Sequence, residues 1–144
     1  MPKQALLLSI RPEFAQKLFE GRKTVELRRV RPHVRTGDWV LVYVSSPVKA
    51  LVGGFEVRQI VGDEIGSLWR KVRGEAGITL EQFKAYYAGA SVGFGIFLQN
   101  PWEFQDPLGL NILRKHFIGF HPPQGYQYLG SKQTRELLSL VSSR

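Results

Sequence analysis

The 144 residues are enough for one compact unit with a sizeable core, and 43% hydrophobic with 12% aromatic residues is the composition of a folded globular chain. There is no apolar run near the roughly 20 residues of a membrane-spanning helix, no stretch before Arg11 long enough for a secretory signal, and no cysteine for disulfides, thiolate nucleophiles or cysteine-held zinc. The net charge is +8, and residues 1–73 hold fourteen Lys/Arg against seven Asp/Glu, a bias that favours a polyanionic partner and, with no export signal, a cytoplasmic setting.

Ala5–Ile10 reads as a buried first strand. Arg11-Pro12 opens a helix, because proline suits the first helical turn, and Phe14, Ala15, Leu18 and Phe19 make its apolar stripe. Gly21 ends it as the residue that turns left-handed past the last helical position. Thr24–Val30 alternates as a strand, with Val25 and Leu27 on one face and Thr24, Glu26 and Arg28 on the other. Arg35-Thr36-Gly37-Asp38 is a turn, Trp39–Ser45 a strand covered on both sides, and Lys49–Val61 a long strand in which Gly53-Gly54 marks a bulge or close approach. Ile65, Leu68, Trp69 and Val72 give a helix, and Thr79 caps another carrying Leu80, Phe83 and Tyr87. Val92–Leu98 and Trp102–Phe104 read as two strands, followed by a Pro/Gly-punctuated segment with a helical turn or two around Leu110–His116. Gly130–Val141 closes as an amphipathic helix. This order predicts a single-domain α+β fold over residues 1–144, with a small, mostly antiparallel sheet able to close into a barrel flanked by helices.

The most informative stretch is Gly21-Arg22-Lys23-Thr24-Val25-Glu26-Leu27-Arg28, a Gly-x-Lys-x-x-Glu-x-Arg pattern between a short helix and a strand. Around it, Lys17, Arg22, Lys23, Arg28, Arg29, Arg31 and Arg35 face only Glu20 and Glu26. Lys23 offers a point charge for phosphate or an amine able to lose its proton when desolvated, and Arg28 a planar fork for phosphate or a base edge. Glu26 shares a strand face with Arg28 and can hold it or accept a proton. Strand parity puts Lys23 on the opposite face. It joins the pair only if it sits at the turn before regular pairing, or at a bulge.

The motif and its setting, including Leu8–Ala15, Tyr43-Val44-Ser45-Ser46-Pro47-Val48 and Pro122-Pro123-Gln124 through Leu129, resemble the ASCH domain family, a branch of the PUA-like fold, over about residues 6–129. The branch that these segments resemble is often labelled as predicted transcriptional regulators. The resemblance implies a helix-flanked β-barrel that binds RNA or a nucleotide in a basic cleft, with DNA as a further partner. Two activities are associated with the family: ribonuclease action, and deacetylation of N4-acetylcytidine nucleosides. The deacetylase branch uses the motif lysine, a threonine three positions on and a glutamate before the mid-chain helix. Here those positions hold Lys23, Glu26 and Ala76, with Glu75 one residue off. Lys23 and Glu26 are the candidate catalytic pair. Gly21, Lys23, Glu26, Arg28, Tyr43, Ser45, Ser46 and Gln124 are the candidate ligand-binding set, with no cofactor or metal expected. Tyr86, Tyr87, Tyr126 and Tyr128 are candidates to stack on a base, because their polar tips tolerate a wet cleft, while Trp39, Phe55, Trp69 and Phe94 read as core. His33, His116 and His121 form no recognisable ligand set.

Overall fold

The structure is a computed structural model that describes residues 4–142; Met1–Lys3, at the start of the stretch read as lacking a signal, lie outside the described residues. Its elements are β1 (Ala5–Ile10), α1 (Pro12–Phe19), β2 (Val25–Arg28), β3 (Trp39–Val44), β4 (Ala50–Glu64), α2 (Ile65–Val72), α3 (Leu80–Tyr86), β5 (Val92–Gly109), α4 (Leu110–His116), β6 (Tyr126–Leu129) and α5 (Ser131–Ser142). No helix among the described residues is long and apolar enough to cross a membrane.

The strands form one sheet in the order β2-β5-β4-β3-β1-β6, with β1 and β3 parallel and the other neighbours antiparallel. The sheet curls into a half-barrel, the α+β arrangement expected from the sequence. Both faces of its middle are covered, as the unbroken apolar runs of β1 and β3 require. Leu6, Leu8 and Ile10 join Val40, Val42 and Val44 under Ala15 and Leu18 of α1. Ala5, Leu7, Leu41 and Tyr43 face the other way, against Leu113 of α4 and Leu137 of α5. A third cluster packs Val25 and Leu27 of β2 on Leu68, Val72, Phe83 and Tyr87.

Gly53 and Gly54 mark a close approach. A Cβ at Gly53 would meet the Trp102 carbonyl oxygen and one at Gly54 the Val40 carbonyl oxygen. The register with β5 shifts on either side of the pair.

Three local readings differ from the structure. The two short strands expected at Val92–Leu98 and Trp102–Phe104 are one continuous β5. It survives Pro101 because Asn100 and Pro101 sit opposite the single residue Phe55, between the Gly54–Trp102 and Glu56–Gln99 partners, a bulge in which no ladder donor is needed. Asn100 takes φ 49° there. The Pro/Gly segment hides β6, which pairs with β1 as an edge strand. Finally, Phe94 is only partly buried and lies beneath the Arg31 guanidinium, 5.9 Å from it, instead of in the core, whereas Phe55 is fully buried and Trp39 and Trp69 pack, partly buried, against core clusters.

Candidate functional site

Helix α1 stops at Glu20, and Gly21 takes φ +81°. The Arg22 and Lys23 amides then return to the Lys17 carbonyl at 2.8 and 3.2 Å. This turn meets the geometric demand read from strand parity. Lys23 precedes the first ladder residue of β2 and swings inward, where it is 3% exposed. The Lys23 ammonium donates to the Ala76 carbonyl at 2.8 Å, lies 3.5 Å from Glu26 Oε1 and sits 5.4 Å from the centre of the Phe14 ring. The loop that supplies Ala76 is itself tied to the motif. Thr24 Oγ1 donates to Glu75 at 2.8 Å, and Lys17 donates to the Gly77 carbonyl at 2.7 Å.

Glu26 Oε2 accepts from Arg28 Nη2 at 2.7 Å, so one carboxylate bridges two cations. Arg28 also reaches the Ser9 carbonyl at 3.4 Å and the Gly125 carbonyl at 3.5 Å. It thereby crosses from one edge of the half-barrel, β2, to the other edge near β1 and β6. Its Nε–H is buried with no hydrogen-bond partner among the described residues. Burial pulls the Lys23 ammonium below the usual lysine value, Glu26 opposes this, and the charges of Arg28 and Lys17 reinforce it.

These residues open on a cleft of about 930 Å³ at the seam of the half-barrel. Its lining includes Lys23, Glu26, Leu27 and Arg28, Ile78 in the turn before α3, and Gln82, Ala85 and Tyr86 of α3. It also includes Tyr43 of β3, Ser45, Ser46 and Lys49 of the β3–β4 turn, and Leu110 and Arg114 of α4. Ser9 to Arg11, Phe14 and Pro122 to Gln124 complete the lining. Five cations, Arg11, Lys23, Arg28, Lys49 and Arg114, thus face the single carboxylate of Glu26. A cleft lined mainly by one sign of charge between low-dielectric walls focuses its field and concentrates anions.

Helix α3 is held in place by paired devices. Thr79 and Gln82 form a capping box at its start, with reciprocal bonds of 3.1 and 2.9 Å. At its end the Tyr86 hydroxyl donates to the Leu27 carbonyl at 3.1 Å, the Tyr87 hydroxyl to the Arg28 carbonyl at 3.0 Å, and Arg29 donates to the Tyr86 carbonyl at 2.7 Å. Burial raises both tyrosine hydroxyls above the usual value. Tyr43, which also lines the cleft, is raised by burial and partly restrained by the nearby charge of Arg114.

Of the residues expected at the site, Lys23, Glu26, Arg28, Tyr43, Ser45, Ser46 and Gln124 all line the cleft. Gly21 does not; it acts on the site through the turn it allows. Of the four tyrosines, Tyr86 lines the cleft, whereas Tyr87 is buried behind it and Tyr126 and Tyr128 lie outside. Glu75 also lies outside, bound to Thr24 and Arg58, and it is the Ala76 carbonyl that meets Lys23. The sequence reading missed Arg11, Lys49 and Arg114. Lys49 has a faint signal in hindsight, since it follows Pro47 at the tight turn where its φ is 52°. No group of three His, Asp or Glu side chains able to hold a metal occurs among the described residues.

The ASCH domain model matches residues 8–117. The chain belongs to the ASCH domain family. This ASCH domain is 30% identical over 136 residues to an ASCH domain-containing ribonuclease of Zymomonas mobilis, covering 94% of this chain and 91% of that protein. The crystal structure of ASCH from Zymomonas mobilis superposes with a TM-score of 0.89 at 29% identity, covering 94% of each chain. The large ribosomal subunit protein uL22 of Ureaplasma parvum is 29% identical over 127 residues, covering 88% of this chain and 39% of that protein.

Proposed function

We propose that this ASCH domain binds RNA in the five-cation cleft and acts on its phosphodiester backbone, and that residues 1–144 work as one such unit. The observation that carries the reading is the charge of the cleft, five cations on one carboxylate, with an Arg28 Nε–H that has no partner among the described residues. A phosphate oxygen or an acceptor edge of a base would satisfy that donor. The similarity to the Zymomonas mobilis ribonuclease supports RNA as the polyanion.

Each residue then has a physical role. Arg28 supplies the planar fork, and Lys23 a desolvated point charge. Glu26, with both oxygens engaged, holds the two cations in place rather than taking a proton. The Tyr86 ring, 39% exposed and anchored through its hydroxyl, is a surface on which a base can stack. Lys49, Arg114, Ser45, Ser46 and Gln124 provide further donors around the cleft. Cations placed on both sides of a phosphate stabilise the charge that builds on its non-bridging oxygens during cleavage. The nucleoside-deacetylase reading fits less well, because Glu26 stands where that set has a threonine and the Glu75 side chain is turned to Thr24 and Arg58 instead of Lys23.

The test is to present the protein with an RNA oligonucleotide, a DNA oligonucleotide of the same sequence and N4-acetylcytidine. RNA should be bound and cleaved, and Lys23→Ala and Arg28→Ala should each weaken binding by about tenfold or more, the range of a lost charge-assisted contact. Unchanged RNA affinity in both variants, preference for DNA, or turnover of N4-acetylcytidine without RNA binding would overturn the proposal.

A further inference from the structure

Outside the cleft the molecule carries a second basic groove of about 580 Å³, lined by Arg31, His33, Arg35 and Asp38 together with Gln4, Pro32 and Val34. Its one carboxylate is already engaged, since Asp38 Oδ2 accepts the Arg35 backbone N–H at 2.8 Å. Neither Arg31 nor Arg35 has a carboxylate within ion-pair distance among the described residues. Arg31 is steadied by the Phe94 ring, a contact that leaves its charge available.

A continuous series of contacts joins this groove to the cleft. Arg28 bonds to the Gly125 carbonyl, and the next residue, Tyr126, lies close enough to feel the Arg28 charge. The Tyr126 and Tyr128 rings meet edge to face, with centres 5.5 Å apart. The Tyr128 hydroxyl accepts the His33 backbone N–H at 2.7 Å, and His33 lines the second groove. Tyr128 sits on the edge strand β6 with 47% of its surface exposed, so its ring is tethered at the tip and open on the side. A tethered aromatic ring between two patches of excess positive charge is what a single strand with splayed bases requires.

We infer that the RNA strand leaves the cleft across β6, stacks a base on Tyr128 and places its phosphates against Arg31 and Arg35 in the second groove. The inference rests on the RNA reading of the cleft and adds an outlying subsite to it. A ligand confined to the cleft does not use this subsite; a longer strand does.

The experiment compares an eight-nucleotide single-stranded RNA with a dinucleoside monophosphate on the intact chain, across a range of salt. The wild type should bind the longer RNA more tightly. Tyr128→Ala should weaken the longer RNA about tenfold and leave the dinucleotide unchanged, while Tyr128→Phe, which keeps the ring, should retain most of the affinity. Exchanging both exposed arginines, Arg31→Gln with Arg35→Gln, should make the log affinity against log salt slope shallower by about 1.4 for the longer RNA only. Equal affinity of the two RNAs in the wild type, or no selective loss in either set of variants, would overturn the subsite while leaving the cleft standing. An eight-nucleotide DNA bound as tightly, and as sensitive to Tyr128→Ala, would overturn its assignment to RNA. Failure of the wild type to bind either RNA would remove the cleft reading and the subsite together.

Discussion

Glu26 holds two cations in a place where water is scarce, with its side chain 10% exposed beside Lys23 at 3% and Arg28 at 12%. Removing the shared anion leaves both cations buried and uncompensated, which is far costlier than losing a surface pair. Glu26→Gln should therefore destabilise the fold by about 3 kcal/mol in urea unfolding; a change within that of an ordinary surface substitution would contradict the bridging role. Arg28→Lys tests the fork. A point charge can replace the positive charge but not the several directed bonds, so RNA affinity should stay low although the net charge is kept. Lys23 supplies a pH signature. Its folded value lies below the unfolded value of 10.5. Between those two values the unfolded chain holds a proton that the folded chain has released, so stability contributed at this site rises with pH, and below the folded value the contribution is flat. Tyr86 runs the other way, because its value is raised on folding and its contribution falls as pH climbs past 10.0. The difference in unfolding free energy between wild type and Lys23→Met should thus grow toward alkaline pH, and a difference independent of pH would contradict the burial of a charged amine.

Among the elements, the bulged pairing of β4 with β5 and the capping of α3 carry the sharpest mechanical claims. Gly53→Ala would drive a methyl group into the Trp102 backbone and should cost about 3 kcal/mol, whereas Gly66→Ala, in α2 with open space around it, should stabilise by about 0.5–1 kcal/mol. Urea midpoints moving the same way for both would show that steric fit does not separate them. The same elements show what could be read in advance. Strong apolar patterning made β1, α1, β3, α2 and α3 legible, and Thr79 was visible as the cap of α3, although its reciprocal bond with Gln82 was not. The continuity of β5 was not legible, because Pro101 and Pro107 look like strand breaks until pairing with β4 places them at irregularities where β5 carries extra residues. β6 was not, because four residues at an edge, with only Leu129 fully buried, leave too little alternation to detect. The site divides in the same manner. Lys23, Glu26 and Arg28 are neighbours in the chain and could be seen together; Lys49 and Arg114 arrive from a turn and from α4, and only tertiary structure brings them to the cleft.

Across the whole molecule, the excess positive charge and the open seam of the half-barrel reinforce one another. β2 and β6 are the two edges of the sheet, and Arg28 spans the gap between them with its side chain where no strand pairing does among the described residues. The incomplete closure leaves room for the cleft, and the basic first half of the chain supplies most of its cations. The measurement closest to the central claim is a crystal structure with a short RNA made resistant to cleavage by 2′-O-methyl groups. The account predicts a phosphate or base acceptor within hydrogen-bond distance of Arg28 Nε, the buried donor that has no partner among the described residues. RNA bound on another face, with the cleft residues untouched, would contradict it.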